Sequence, residues 1–399
     1  MRQVSGGVTA AKGFVASGTS AGIKRGRKPD VALVVSEWPA IVAGVFTRNR
    51  VQAAPVRISK DRVRKAKARA VFLTSGCANC LTGVQGWQDA RLLGRVVARH
   101  LGFPEDEVLL ASTGVIGRRL PVPRILRVIP QLVQRLDRAH HRAAAQAILT
   151  TDLKPKEVAL QTTIQGRRCH VGGMAKGAGM IAPSMATLLS VITTDVGMSP
   201  SVLQAMLREA VAQTFNRISV DGDRSTNDTV FALANGASGL SVKAMTRDAK
   251  IISEMLHQVC KELAQRIVED GEGVSRLMDV QVLGARSQRE AEACVRQVAG
   301  SSLVKTMLAG ADPNVGRIAA AAGASAARFD PSQMEVFIGG RRVIAQDRVL
   351  PLDKAVAKRL LAPSRVAVRI DLHAGTFQAH LLTCDLTEDY VKINAGYAT

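Results

Sequence analysis

Seven short segments of the chain are rich in glycine, threonine, asparagine and aspartate, unlike the helical and apolar sequence around them. Glycine lets backbone amides approach a ligand closely, and short polar side chains hold turns or bind polar groups. Each segment alone is typical of a surface turn, but seven in one chain favour a shared binding pocket. The segments are residues 112–117, 148–152, 176–187, 221–228, 270–273, 310–314 and 393–399.

The segment 176–187 has the most specific arrangement. It leads from glycine-rich sequence into an apolar stretch of strand length, residues 187–195, so that Thr187 stands at the entrance of the strand. A hydroxyl on a rigid strand, preceded by a loop that can be strained and cut, is typical of an N-terminal nucleophile. A threonine at a strand entrance is also common for conformational reasons alone, and the spacing leaves both interpretations open.

Familiar catalytic motifs are absent from the sequence. There is no GxSxG nucleophile elbow, no Walker phosphate loop, no HExxH helix and no complete GxGxxG. Cys77 and Cys80 form a single CxxC, but no second CxxC or histidine pair completes four zinc ligands. We therefore interpret the two cysteines as loop thiols behind a buried strand, and we expect no metal site.

Composition limits the classes of function. The 54 lysines and arginines against 33 acidic residues give a net charge of +21, which keeps nucleic acid among the candidate partners. Aromatic residues make up only 3% of the chain, and the densest basic cluster, residues 62–69, contains none. Because single-strand binders stack bases on aromatic faces, we expect no nucleic-acid site. No apolar run reaches the roughly 18 residues of a membrane span, and the cysteines are mostly scattered singly, so we expect a cytoplasmic protein without a membrane partner.

Apolar runs and helical stripes alternate along the chain and predict a mixed α and β fold of one large or two ordinary domains. Ser199 followed by Pro200 predicts a capped helix start. Residues 366–372 and 379–386, separated by a turn at His373, predict a late hairpin. The other predicted strands are residues 31–35, 42–46, 70–74 and 108–111, and the predicted helices are residues 87–101, 123–138, 200–215 and 248–269.

Together these residues resemble the ornithine acetyltransferase family, also called glutamate N-acetyltransferase, of the cyclic arginine pathway. The resemblance covers nearly the whole chain, from Gly6 to the last residue. Agreement in order and spacing at every matched stretch does not arise readily by chance. The most specific matches are residues 176–181, 185–187, 310–314 and 390–394.

The resemblance implies an α/β sandwich of the kind shared with certain self-processing aminopeptidases, in which two chains form one intertwined unit. It implies self-cleavage between Ala186 and Thr187. The products are an α chain of residues 1–186 and a β chain of residues 187–399 that begins with the nucleophile. Two α and two β chains are then expected to assemble into a heterotetramer.

The resemblance also implies ping-pong acetyl transfer from N-acetylornithine to glutamate through an acetyl-Thr187 intermediate, with no cofactor. Whether acetyl-CoA serves as a second donor stays open. The alternative is a self-processing aminopeptidase or amidase of the related fold, which passes the acyl group to water. Thr113 and Gly114 match the oxyanion hole. The positions that match substrate contacts are Thr150, Lys176, Thr187, Glu272, Asn394 and Thr399.

The residue types suit this chemistry. A free α-amine with a pKa of about 7.7–8.0 can take the proton of a threonine hydroxyl at neutral pH, and this amine exists only after cleavage. Lys176 offers a cation to a substrate carboxylate, and Glu272 offers an anion to its ammonium group. Three positions outside the matched site depart from the family pattern: Cys77 replaces the usual Asn, Arg224 the usual Thr, and Val315 the usual Trp.

Overall fold

The computed structural model describes residues 1–182 and 188–396 of the chain. Within these ranges, sixteen strands and eleven α-helices form three sheets with their covering layers. The strands are β1 (Arg2–Gln3), β2 (Phe14–Thr19), β3 (Val31–Ser36), β4 (Ile41–Phe46), β5 (Ala70–Cys77), β6 (Val108–Val115), β7 (Lys156–Ile164), β8 (Arg167–Lys176), β9 (Leu189–Thr194), β10 (Thr229–Ala234), β11 (Leu277–Ala285), β12 (Glu335–Ile338), β13 (Arg341–Ala345), β14 (Arg348–Val349), β15 (Arg365–Asp371) and β16 (Phe377–Cys384). The helices are α1 (Ala54–Val63), α2 (Gly83–Leu101), α3 (Val122–Gln134), α4 (His141–Ala147), α5 (Pro200–Gln213), α6 (Arg247–Glu269), α7 (Gln288–Gly300), α8 (Ser302–Gly310), α9 (Gly316–Gly323), α10 (Lys354–Leu361) and α11 (Glu388–Ala395).

Two sheets pack face to face. The first has the strand order β1-β7-β8-β9-β10-β4 and the second the order β2-β3-β5-β6. Their facing surfaces bury a shared apolar core that includes Phe14, Leu73, Leu109, Val191 and Phe231. Helices α5 and α6 cover the outer face of the first sheet, and α2 and α3 cover the outer face of the second. The layers follow the order helix, sheet, sheet, helix, and the predicted α/β sandwich is confirmed.

A third sheet, with the order β14-β13-β12-β15-β11-β16, packs under helices α7, α8 and α9 around a core of its own. Its edge strand β16 also reaches the sandwich, because Leu382 and Cys384 belong to the core beneath the first sheet. Helix α11 follows β16 directly. The third sheet therefore brings the C-terminal helix to the sandwich.

Both halves of the chain build the first sheet. Strands β1, β4, β7 and β8 precede position 187, whereas β9 and β10 follow it. Strands β8 and β9 are antiparallel neighbours, paired from Val171 with Thr194 to Lys176 with Leu189. The expected cleavage point falls in the connection between them, at residues outside the described ranges. Residues 1–186 and 187–399 thus share one sheet, which is the intertwining that the resemblance implies.

Most of the predicted elements are present. The four strands predicted in the first half correspond to β3, β4, β5 and β6, and α2, α5 and α6 correspond to three predicted helices. The Ser199 side chain caps α5 by accepting a hydrogen bond from the Val202 amide. The helix predicted at 123–138 ends earlier, at Gln134, because Asp137 exchanges two backbone hydrogen bonds with Ala16 of β2.

The predicted hairpin of residues 366–372 and 379–386 is wrong. Strands β15 and β16 do not pair with each other, because β11 lies between them, parallel to β15 and antiparallel to β16. Two strands that flank a third lie about 10 Å apart, and residues 372–376 span that gap. The two strands are present, but their common partner comes from a distant part of the sequence.

All six cysteines are buried and free of disulfides. Cys77 is the last residue of β5 rather than a loop residue, which corrects the prediction. Its Sγ lies 2.9 Å from the carbonyl oxygen of Arg118, and burial raises the pKa of the thiol. Across the described ranges, no helix combines the length and the apolar character that a bilayer crossing requires.

Candidate functional site

Thr113 and Gly114 lie near the end of β6, where the parallel pairing with β5 becomes irregular. Gly114 has a φ of 127°, and a Cβ atom there would overlap the backbone of Gly76 on β5. Only glycine fits that conformation and that space. Thr113 is 4% exposed. The pair is therefore held at the end of a buried strand, and fixed geometry is what an oxyanion hole needs.

Asn227 ties the end of β6 to the start of β10. Its Nδ2 donates to the carbonyl oxygens of Ser112, at 2.8 Å, and of Ala78, at 2.7 Å. The next residue, Asp228, accepts a hydrogen bond from the backbone N–H of Leu188 through Oδ1, at 3.2 Å. Leu188 directly follows the expected nucleophile in the chain. One hydrogen-bonded network therefore joins the oxyanion pair to the start of β9.

Lys176 ends β8 and is 2% exposed. Its Nζ lies 3.8 Å from Oδ2 of Asp152. The Asp152 carboxylate also pairs with Nζ of Lys156 at 2.7 Å and accepts the N–H of Gly177 at 2.7 Å. It accepts the N–H of Thr150 at 3.1 Å and lies 3.5 Å from the Thr150 hydroxyl. Asp152 thus places two of the predicted substrate-contact residues, Thr150 and Lys176, side by side.

The electrostatics of this cluster are set by burial and by the neighbouring charges. Burial alone would raise the pKa of Asp152, but Lys176 and Lys156 outweigh it and hold that pKa below the usual range. Burial, and secondarily Lys156, lowers the pKa of Lys176, while Asp152 and Glu272 act against the decrease. Sequence reasoning included Asp152 in a polar segment but did not single it out, since nothing local indicates that this carboxylate is buried.

Glu272 and Asn394 meet beside the glycine-rich segment. Nδ2 of Asn394 donates to Oε2 of Glu272 at 2.8 Å. The Glu272 amide donates to the Ala178 carbonyl at 3.0 Å, and a Cβ atom on Gly179 would overlap the Glu272 carboxylate. Helix α11 carries Asn394 and is anchored by the Thr387 hydroxyl, which donates to the Gly273 carbonyl at 2.6 Å. The end of the chain, as far as Asn394, is therefore a fixed helix rather than a loose tail.

Asp228 is the functional candidate that sequence reasoning missed. It is fully buried, and its Oδ2 atom has no hydrogen-bond partner within the described residues. Burial raises its pKa well above the usual value, against the opposing effects of the Leu188 amide and Lys176. An aspartate immediately before an apolar strand, in the segment 221–228, was the available signal.

Lys24 adds a second amine near the oxyanion pair. Its Nζ donates to the carbonyl oxygen of Leu149 at 2.9 Å, and its stem lies beside Gly76. Burial lowers the pKa of Lys24 to about 8, although Asp30 and Asp152 oppose the shift. The site therefore contains one more cationic group than the sequence analysis identified, in addition to Lys176.

The structure brings most of the predicted site residues to the same region, where sheet edges and glycine-rich loops meet. Ala186, Thr187 and Thr399 lie outside the described residues. Among the residues that are described, no group of His, Cys, Asp and Glu side chains is arranged to hold a metal ion. The predicted residues that the structure describes are Thr113, Gly114, Thr150, Lys176, Glu272 and Asn394.

Comparisons with known proteins agree over the whole chain. The model of the ArgJ family matches residues 15–399. The arginine biosynthesis bifunctional protein ArgJ of Thermosynechococcus vestitus is 45% identical over 415 aligned residues, which cover 100% of this chain and 99% of the relative. The protein of the same name from Synechococcus sp. is 45% identical over 411 residues, with 100% and 99% covered.

One solved structure aligns with part of the chain. A structure described as ornithine acetyltransferase complexed with ornithine, from Mycobacterium tuberculosis, is 40% identical in sequence. It covers 47% of this chain and 99% of that chain, with a TM-score of 0.43.

Proposed function

The chain belongs to the ArgJ family, and we propose that it transfers the acetyl group of N-acetylornithine to glutamate through an acetyl-Thr187 intermediate. Relatives that align over the full chain are named as bifunctional proteins of arginine biosynthesis. This supports acetyl transfer in that pathway as the general activity. The donor, the acceptor and the covalent intermediate are the finer parts of the proposal.

The choice of substrate rests on one observation. The buried Lys176 ammonium lies near the Glu272 carboxylate, which the side-chain amide of Asn394 holds in place. Lys176, with Asp152 behind it, suits an α-carboxylate. Glu272, bound to Asn394, suits an ammonium group. Since the Glu272 charge acts to raise the pKa of Lys176, the two charges are near enough to bind the two ends of one small amino acid.

Self-cleavage is the first step of the proposed mechanism. The Thr187 hydroxyl attacks the carbonyl carbon of Ala186, and the peptide C–N bond breaks as the amine leaves with a proton. Water then hydrolyses the resulting ester. The products are the carboxylate of Ala186 and a β chain with a free α-amine at Thr187.

Acetyl transfer then uses that amine as the base. As the Thr187 oxygen attacks the acetyl carbonyl, its proton passes to the α-amine, and Thr113 with Gly114 stabilises the oxyanion. The α-amine returns the proton to the departing nitrogen of ornithine. The amine of glutamate then attacks the acetyl-threonine ester by the same steps in reverse, which restores the free hydroxyl.

Asp228 suits the role of the group that orients this base. A nucleophile and its base usually need a third group that holds the base in place. Asp228 already binds the N–H of Leu188 with one carboxylate oxygen and has the other oxygen unpartnered within the described residues. An ammonium formed on Thr187 would belong to the residue that is covalently joined to Leu188, whose N–H Asp228 already binds.

Two further parts belong to the proposal. The name "bifunctional" in the relatives supports acetyl-CoA as a second donor. Assembly into two α and two β chains is expected from the family resemblance. The self-processing aminopeptidase or amidase is the competing assignment, and it differs in passing the acyl group to water.

Isotope exchange separates the two assignments. The purified enzyme is incubated with N-acetylornithine and labelled ornithine, without glutamate. A ping-pong transferase moves label into N-acetylornithine, because the acetyl-enzyme reacts back with ornithine. Steady release of acetate without exchange would contradict the transferase and support the hydrolase.

A further inference from the structure

A cavity of about 460 Å³ opens next to the loop of residues 219–224. Ala182, the last described residue before the segment that contains Thr187, forms part of its wall. The loop of residues 219–224, the C-terminal end of α7 and Leu381 of β16 form the rest. The cavity therefore adjoins the described end of the glycine-rich segment, five residues before the expected nucleophile in the chain.

Two arginines line this cavity, Arg224 and Arg296. Burial together with the charges of Arg217, Arg224 and Arg48 lowers the pKa of Arg296, against the effect of Glu292. These three guanidinium groups are thus close enough to repel that of Arg296. The Asn49 side chain, which donates to the Arg224 carbonyl at 3.0 Å, fixes the Arg224 loop to the loop of Arg48.

Two carboxylates near these arginines are each shared among several donors. Glu292 is shared, since it lies 3.0 Å from Arg217 and 3.8 Å from Arg296. Asp221 lines the cavity, but its carboxylate accepts the N–H groups of Met180 at 2.6 Å and Ile181 at 2.9 Å, and the Tyr390 hydroxyl at 3.3 Å.

Arg224 lies at the exposed rim and forms no ion pair with any described residue. Asp223, next to it, is also exposed at the rim. An anion bound between Arg224 and Arg296 would relieve the repulsion among the guanidinium groups. Arginine is suited to this role, since its planar group binds phosphate oxygens in pairs.

We propose that this cavity binds the phosphate groups of an acetyl thioester donor of the coenzyme A type, so that the thioester reaches Thr187 past Ala182. The inference rests on the proposed function, because it assigns a binding site to the second donor. The Thr187 oxygen attacks the thioester carbonyl, the C–S bond breaks, and the sulfur leaves with the proton that the α-amine took from the hydroxyl. Glutamate then accepts the acetyl group as before.

The amino-acid substrates do not need this cavity. Their charges are matched by Lys176 and by Glu272 with Asn394, none of which lines the cavity. Arg224 also stands where the resembling family usually has threonine, so that its contact with the phosphates is proposed for this chain rather than for the family. A site for a polyanionic donor accounts for the cations that the amino-acid site does not use.

The test compares donors in the full, self-cleaved enzyme and in Arg224→Thr. With acetyl-CoA as donor, the variant should raise KM at least tenfold, and calorimetry with coenzyme A alone should show at least tenfold weaker binding. With N-acetylornithine as donor, KM and kcat should stay within twofold of the parent. With S-acetylpantetheine, which carries the thioester without phosphates, parent and variant should give the same KM. Arg359→Thr, an exposed arginine on α10, is the matched control and should change nothing.

The outcomes separate this inference from the proposed function. If the parent transfers acetyl from N-acetylornithine but neither uses acetyl-CoA nor binds coenzyme A, the phosphate site is refuted and the transferase assignment stands. An unchanged acetyl-CoA KM in Arg224→Thr also refutes the site. If Arg224→Thr instead raises the KM for glutamate with both donors, the phosphate site is refuted, and Arg224 contacts the side-chain carboxylate of the acceptor. If N-acetylornithine itself is not a donor, the proposed function fails.

Discussion

Replacing Asp228 by asparagine tests whether this buried carboxylate supports the catalytic base. Asparagine keeps the shape and can still accept the Leu188 N–H, which binds Oδ1 at 3.2 Å in the parent. It removes the ability of the unpartnered oxygen to carry a negative charge, which burial disfavours and a neighbouring ammonium group favours. The change is therefore confined to the electrostatic role proposed for Asp228.

The expected magnitude follows from the position of Asp228. A carboxylate about 4–6 Å from an amine raises its pKa by about 1–3 units, and each unit corresponds to about 1.4 kcal/mol. Lys176, which lies near enough to affect the pKa of Asp228, and the Arg224 charge act against part of this effect. We therefore expect Asp228→Asn to move the acidic limb of the kcat/KM profile to lower pH by at least one unit, and to lower kcat about tenfold or more.

The assay is a pH profile of N-acetylornithine-dependent transfer, measured on enzyme whose cleavage has been verified on a denaturing gel. Cleavage itself should persist, because no α-amine exists before it. Asp195→Asn is the control. That carboxylate is equally buried, but it is fully partnered by His170 and the Lys12 amide. An acidic limb that stays in place in Asp228→Asn would refute the role as a positioning residue.

Stability gives a second readout for Asp228. Its pKa is raised in the folded state, so its contribution to stability is present below the ordinary carboxyl pKa and is lost as pH rises through the folded value. Asparagine cannot ionise and avoids that loss. In the uncleaved Thr187→Ala background, Asp228→Asn should therefore unfold at the same or a higher temperature than its parent at pH 8. A marked decrease in the unfolding temperature would show that the ionised Asp228 carboxylate is stabilised in the folded state, contrary to the effect of burial.

Three further predictions concern the rest of the site. Thr113→Ala should lower kcat by about 10²-fold or more with little change in KM, because the oxyanion contact strengthens in the transition state; an effect on KM alone would mean that Thr113 only binds substrate. Asp152→Asn should cost about 3–5 kcal/mol in urea unfolding at pH 7, because it leaves Lys176 buried without its neighbouring anion, whereas Lys156 keeps Asp270 at 2.6 Å. Since the pKa of Asp152 is depressed, this difference should hold above about pH 4 and shrink as pH falls through the folded value, and a constant difference would contradict the assignment. Deleting residues 394–399 should leave cleavage intact and raise the KM for N-acetylornithine at least tenfold, or about 1.4 kcal/mol; unchanged kinetics would exclude Asn394 from the site.

Local sequence patterns predicted most individual strands and helices, but not which strands pair. The apolar runs of β3, β5 and β6 and the stripes of α5 and α6 were recognised, since burial of one face imposes a visible period. The β15–β16 hairpin failed because strand pairing depends on distant sequence, here β11. The period of a strand does not identify its neighbour.

The site residues show the same difference between what local sequence reveals and what depends on distant sequence. Thr113, Lys176 and Glu272 could be named because they match a family pattern, and Gly114 is explained by a φ and a close contact that only glycine allows. Asp152 and Asp228 could not be singled out, because a carboxylate acquires an unusual pKa only through burial and through charges brought from other strands. Sequence reasoning therefore named the groups that are expected to contact substrate and missed the carboxylates that lie behind them.

The covalent intermediate is the central claim, and intact-mass analysis of the two chains tests it most directly. The enzyme is incubated with N-acetylornithine in the absence of glutamate, quenched in acid and weighed. The account predicts two chains, residues 1–186 and 187–399, with a mass increase of one acetyl group on the second chain alone that disappears when glutamate is added. Thr187→Ala should give one uncleaved chain of 399 residues without added acetyl. Acetyl on the first chain, or cleavage of Thr187→Ala at the same bond, would contradict the account.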